Sequence, residues 1–454
     1  MALAGCGGGG GHGNDSPPPV EELTPPSITL PQASACPASI TTLPANVTCW
    51  TGRDENDAYF WVVKPADWNG KLVIHAHGGP SLGAVTEQRA IDDLDRWTVW
   101  IRAGYAFAVT SYKQGGVAVL SAAEDMAVLL PIAVGLVGKP DKVILHGQSW
   151  GAGVAARAAE VDSALSKVKP KVDAVLLTSG VLGGGTKSYD FRLDIRVVYQ
   201  ALCKNHPRPA ETQYPLWQGL PTKDSTLSPN ISSRINECLG LNKPFAQRTP
   251  EQQQKSTDIV NVIKIPENQI QSHLNWGTNH FQDIVFNRLN GRNPFRNDSV
   301  YYMGSHDDAW LNAEIDAMGL RYAADLDAVM AFAKDADPTG DIAMPIMTLR
   351  WIDDPTAFVE LANTWENTVN KAGRSANLRQ LYARSPGKTH SYLSDAEYIA
   401  VMEALLDWEE SGNKPSALDV AQRCAALDAK WTPGSCAIDP SYEPQPLSTR
   451  VPAR

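Results

Sequence analysis

Three absences narrow the reading of this 454-residue chain. No uninterrupted run of 18 or more apolar residues occurs, so no segment reads as a membrane-crossing helix. Lysine and arginine never cluster, and 40 of them stand against 50 aspartates and glutamates for a net charge of −10. Nucleic acid would meet no basic patch, and that class of partner is excluded. Cysteine is sparse, seven in all, and never takes the paired Cys-x-x-Cys spacing of a zinc framework, so neither a metal nor another cofactor is expected. What is present is a globular balance, 43% hydrophobic and 20% charged, long enough for one large domain with a substantial insertion.

Setting Cys6 apart, six cysteines fall into three sequence-local pairs, Cys36 with Cys49, Cys203 with Cys238 and Cys424 with Cys436. Three short disulfide loops suit an oxidising compartment and therefore export. Leu3-Ala4-Gly5-Cys6, followed by glycines and then Pro17-Pro18-Pro19, resembles the lipobox and tether of bacterial lipoproteins. The resemblance implies acylation of Cys6. With Gly7 after the cysteine, it points to the outer membrane, with a periplasmic or extracellular location as the broader expectation, and to membrane association through that anchor alone.

Apolar and β-branched runs mark strands at Tyr59–Val63, Lys71–Ala76, Tyr105–Thr110, Val143–Leu145 and Ala174–Thr178, with helix-like stretches at Ile91–Arg102, Ser121–Val137 and Ala152–Val161 between them. Continuous apolar strands alternating with helices predict a mostly parallel sheet covered on both faces. The alternation stops near Gly183 and resumes with strands at Met344–Trp351 and Leu378–Ala383 and a last helix at Asp395–Glu409. The expected plan is a flexible tether (1–35), a first core part (36–182), a large, mainly helical lid or cap insertion (183–340), a second core part (341–415) and a disulfide-closed extension (416–454).

Gly147-Gln148-Ser149-Trp150-Gly151 stands between the strand Val143–Leu145 and the following helix. A serine held on a strand-to-helix turn so tight that glycines must flank it is a nucleophile elbow. Such a serine needs a base, an acid to orient the base and N–H donors for an oxyanion. His390 lies in a loop between the last strand and the last helix, while His75 is mid-strand, His146 abuts the elbow in a structural position, and His206, His273, His280 and His306 fall in the insertion. The adjacent pair Asp353-Asp354 follows the strand ending at Trp351, and helix capping ahead of a helix starting at Thr356 is its plainer use. His77-Gly78-Gly79-Pro80 ends the strand Lys71–Ala76.

In order and spacing these residues resemble the α/β-hydrolase superfamily from about Tyr59 to Gly412. The resemblance implies an α/β-hydrolase fold, with Ser149 as nucleophile, His390 as base, and Asp354 as the acid because Asp354-Pro355 matches the Gly-Asp-Pro form of that loop. It implies an oxyanion hole from the N–H groups of Trp150 and Gly79, since Pro80 has none. The closing stretch Leu405 to Pro415 and the disulfide-bearing insertion look like secreted esterases of the tannase and feruloyl esterase type, although no cysteine adjoins Ser149 or His390. The expected activity is hydrolysis of a small or oligomeric carboxylic ester through an acyl-enzyme.

His-Gly-Gly-Pro with Gly-x-Ser-Trp-Gly also resembles the proline iminopeptidase-like aminopeptidases, which hold the substrate's ammonium on cap carboxylates. Asp283, Asp307, Asp308 and Glu314 are the candidates for that role. A non-catalytic binding lipoprotein on the same fold is the third reading, though such proteins usually lose part of the triad. Tyr214, Trp217, Trp276, Phe281, Tyr301, Tyr302 and Trp310 are candidates for an aromatic pocket, or for the insertion's own core. His306-Asp307-Asp308 reads more readily as a helix cap than as a metal site.

Overall fold

A computed structural model describes residues 29–454 except 385, 386, 388, 432 and 453; Cys6 and its tether therefore lie outside the described residues. Eight strands form one sheet: β1 (Val47–Arg53), β2 (Tyr59–Pro65), β3 (Lys71–Ala76), β4 (Ala106–Thr110), β5 (Lys142–Gln148), β6 (Ala174–Thr178), β7 (Ile346–Trp351) and β8 (Leu378–Ala383). Their order is β1-β2-β4-β3-β5-β6-β7-β8. Only β1 and β2 run antiparallel to their neighbours; the six strands from β4 to β8 pair in parallel. This is the α/β-hydrolase fold.

Strands β3 to β7 are mostly apolar and are buried except at Lys71 and Lys142, the first residues of β3 and β5, because both faces of the sheet are covered. One apolar layer joins alternate strand residues such as Leu72, Ile74 and Leu145 to the helices Val119–Val137 and Trp150–Ala158 and continues into the insertion. The other joins Val73, Ile144 and Leu176 to Trp97, Trp100 and the helix Asp395–Ser411. Helix Val119–Val137 is long and apolar enough to cross a membrane by length and composition. It interrupts its apolar run with Glu124 and Asp125 and packs on the sheet.

Some expectations are corrected. The helix read across Ile91–Arg102 is two, Glu87–Arg96 and Thr98–Arg102, broken where Trp97 turns into the core. Thr356 does not start a helix; the loop after β7 runs on, and the helix begins at Leu361. The 36–56 segment contains strand β1, whose mixed exposure on the sheet's edge hides the apolar pattern. All three cysteine pairs, Cys36–Cys49, Cys203–Cys238 and Cys424–Cys436, are disulfides. Between β6 and β7 the described chain is helical and irregular, without a strand.

Candidate active site

Parallel sheets bind ligands beyond the carboxyl ends of their strands, where backbone and helix termini leave a crevice. Ser149 follows β5, Asp354 follows β7, His390 follows β8 and Gly79 follows β3, so all four reach the same edge. Ser149 has φ 55° and ψ −122°, a conformation that costs a residue with a side chain about 1–3 kcal/mol. Its N–H donates to the Thr178 carbonyl at 2.9 Å and its own carbonyl accepts from Val181 N–H at 2.9 Å, which holds the turn in place.

The flanking glycines are required for closeness rather than for φ. A Cβ on Gly147 would stand 2.4 Å from the Gly151 carbonyl oxygen, and one on Gly151 would stand 2.2 Å from that of Ala76. Gly79 differs: its φ of +131° is itself closed to other residues.

His390 Nε2 lies 2.8 Å from Ser149 Oγ, and its Nδ1 lies 2.7 Å from Asp354 Oδ2. Asp354 is 3% exposed, whereas its neighbour Asp353 is exposed. The second carboxylate oxygen, Oδ1, accepts the N–H groups of Thr356 and Ala357 at 2.8 and 2.9 Å. Helix capping, the plainer use read for this aspartate, is not what it does: Thr356 and Ala357 lie in a loop, which Oδ1 closes while Oδ2 meets His390. Buried Arg350 spans the site's far side, donating to the carbonyls of Gly180 and Phe358 and so tying the ends of β6 and the Asp354 loop together.

Three positioning residues were not foreseen. Gln148 Nε2 donates to Ser391 Oγ at 2.6 Å, and Arg96 donates to Gln148 Oε1 at 3.1 Å and to the Ser391 carbonyl at 2.5 Å. Ser391, at φ 64°, is thereby clamped directly after His390. Arg89 supports the opposite wall by donating to the Gly78 carbonyl at 2.8 Å and pairing with Asp93 at 2.6 Å. Beside it, burial pushes His77 down to about 4, so it is neutral. His75 and His146 are fully buried, 2.9 Å apart between their Nδ1 atoms, and lie within the sheet rather than at the cleft.

A cleft of about 190 Å³ opens on Ser149 and His390 and is lined by Gly79, Trp150, Tyr189, Arg192, Trp276 and His280 among others. No hydrogen bond among the described residues takes the N–H of Gly79 or Trp150. Of the seven aromatic candidates only Trp276 lines this cleft. Phe281 and Tyr302 are buried in the insertion's own core, Tyr301 and Trp310 are on the surface, and Tyr214 and Trp217 stand half-buried elsewhere.

The four candidate carboxylates are engaged in structure. Asp283 accepts from Val117 N–H and pairs with Arg288, Asp307 caps its helix through Trp310 N–H, Asp308 accepts from Ser305 N–H, and Glu314 pairs with Lys204. His306 Nδ1 lies 2.7 Å from Asp258 rather than sharing a ligand set with its two aspartate neighbours.

No family model and no curated protein matches the chain. Among solved structures it is similar to feruloyl esterase B from Aspergillus oryzae, at 11% identity over 82% of each chain with a TM-score of 0.43. Similarity extends to another esterase from Aspergillus oryzae (12% identity, 82% of this chain and 81% of that one, TM-score 0.40). A Pyrococcus furiosus esterase is 11% identical, over 85% of this chain and 91% of that one, with a TM-score of 0.37.

Proposed function

We propose that this α/β-hydrolase-fold chain is a serine carboxylic ester hydrolase working through an acyl-enzyme. The observation that carries the reading is the continuous hydrogen-bonded chain from Asp354 through His390 to Ser149, opening on a cleft with two untaken N–H groups. In the reaction, His390 Nε2 takes the Ser149 proton as Oγ attacks the ester carbonyl. The Trp150 and Gly79 N–H groups receive the oxyanion, and Asp354 steadies the imidazolium. His390 then returns the proton to the departing alcohol, and water, activated by the same base, releases the acid and restores Ser149.

Esters are favoured over aminoacyl substrates by the charge of the cleft. An ammonium group needs a carboxylate facing it, and the cleft carries the cation Arg192 while the four candidate carboxylates are occupied elsewhere. Residues 183–340 serve as the lid, because Tyr189, Arg192, Trp276 and His280 all reach the cleft from that segment. Three disulfides suit an exported protein, and acylation of Cys6 would anchor it at the outer membrane.

The test is a parallel assay of the protein and its Ser149→Ala variant on a short-chain nitrophenyl ester and a prolyl nitroanilide. Ester turnover is expected to fall by about 10³-fold or more in the variant, with no anilide cleavage. Dominant anilide cleavage would transfer the protein to the aminopeptidases. Turnover of neither substrate would favour the binding-protein reading.

A further inference from the structure

Arg192 is 5% exposed and lines the same cleft as Ser149 and His390. Its guanidinium lies 4.8 Å from the centre of the Tyr189 ring and 4.9 Å from those of Phe191 and Trp276. One nitrogen, Nη1, donates to the Ser188 carbonyl, while Nε is buried without an acceptor. No aspartate or glutamate among the described residues pairs with it. Burial lowers its pKa only to about 10, so it is a cation at neutral pH.

Of the other buried arginines, three pair with a carboxylate, Arg234, Arg248 and Arg454 with Glu211, Glu267 and Asp194. Arg196 and Arg350 do not, and each donates to two backbone carbonyls. They too leave nitrogens without acceptors, Nε and Nη2 in Arg196 and Nε in Arg350, but neither lines the cleft. A buried guanidinium with donors left over is destabilising unless something supplies the missing anion. Aromatic faces offset part of that cost but accept no N–H bond in the fork's plane.

We propose that Arg192 binds a carboxylate on the substrate, so that the ester cleaved at Ser149 carries a free carboxylate on its acyl or alcohol half, as in a half-ester of a dicarboxylic acid or a carboxylate-ended ester oligomer. A planar two-oxygen acceptor matches the guanidinium fork, and Tyr189 and Trp276 wall the position with flat rings. His280, held down to about 3 by burial and by Arg192, is neutral beside it and does not compete for the anion as a second cation. The chain's net charge of −10 gives no general attraction for anions, so a preference would have to arise in the cleft.

This assignment rests on the ester hydrolase reading, and its test separates the two. Mono-4-nitrophenyl adipate is compared with its methyl ester, which has the same length and no charge. The unmodified protein is expected to prefer the anionic ester by tenfold or more in kcat/KM. That ratio is expected to fall to near one in Arg192→Gln and to an intermediate value in Arg192→Lys. A ratio at or below one in the unmodified protein overturns the assignment without recourse to any variant, as does a preference that survives Arg192→Gln in a folded protein. If neither ester turns over, the hydrolase reading fails on its own, and calorimetry with benzoate against benzamide still reads the site. Tighter binding of benzoate, lost in Arg192→Gln, would sustain the carboxylate site, and equal binding would overturn it.

Discussion

Asp353 and Asp354 are chemically identical neighbours, and only their surroundings separate them. Asp354 is buried, with one oxygen on His390 and the other on two backbone N–H groups; Asp353 faces solvent. An acid in Asp354's position keeps the imidazole in the tautomer that can accept the serine proton, and an amide there would favour the wrong one. Asp354→Asn is therefore expected to lower kcat by about 10³–10⁴-fold, whereas Asp353→Asn should stay within about twofold. Steady-state kinetics on the nitrophenyl ester decide the matter, and comparable losses in both variants would remove Asp354 from its role. The aspartate pair was legible in the sequence as a pair. Pro355 favoured Asp354 only through a resemblance; the burial of Asp354 and its contact with His390 belong to the tertiary structure.

Two helical elements act through features invisible to their apolar patterns. The helix from Ile270 passes into π-helical turns at Trp276–His280 and Asp283–Arg288. The first of them carries both Trp276 and His280 to the cleft, a use of π geometry that recurs at functional sites. Helix Val119–Val137 buries Asp125 completely, with Oδ2 accepting from Lys113 N–H at 2.8 Å and Oδ1 left without a hydrogen-bond partner. Burial pushes this carboxyl up to about 7. Because the folded value lies above the unfolded one, the favourable contribution is complete at acid pH and is lost as pH rises through about 7. Asp125→Asn, which stays neutral, should accordingly gain in Tm relative to the unmodified protein between pH 5 and pH 8. A difference in Tm that is flat or reversed with pH would contradict the buried, proton-binding state.

Across the whole molecule, the sheet supplies a rigid edge and the insertion supplies the cleft's far wall. That wall depends on the helix Phe191–Cys203, which carries Arg192 at its start and ends in the disulfide to Cys238 on the helix Ile231–Leu239. Cross-links stabilise mainly by restricting the unfolded chain, more so for longer loops. Cys203 and Cys238 are 35 residues apart and Cys36 and Cys49 only 13. Replacing the first pair by alanine should cost about 4 kcal/mol and the second about 3 kcal/mol in denaturant unfolding. A larger loss from the Cys36–Cys49 pair would show that local packing, not chain entropy, sets the order.

The sequence by itself determined the alternation of strand and helix, the elbow around Ser149, the loops that carry Gly79, Asp354 and His390, and the pairing of six cysteines. Each of these is local in the chain, within a dozen or so residues for most and 35 for Cys203 with Cys238, and is written through steric demands, periodicity or short loop closure. Tertiary structure alone decided which aspartate meets His390, that the insertion's carboxylates are spent on caps and ion pairs, that Arg96, Gln148 and Ser391 clamp the base's loop, and that Arg192 stands beside Ser149 without a counter-charge. Those outcomes join positions up to several hundred residues apart. Whether a buried charge finds a partner there depends on how separate elements pack, and no single stretch of chain contains that information.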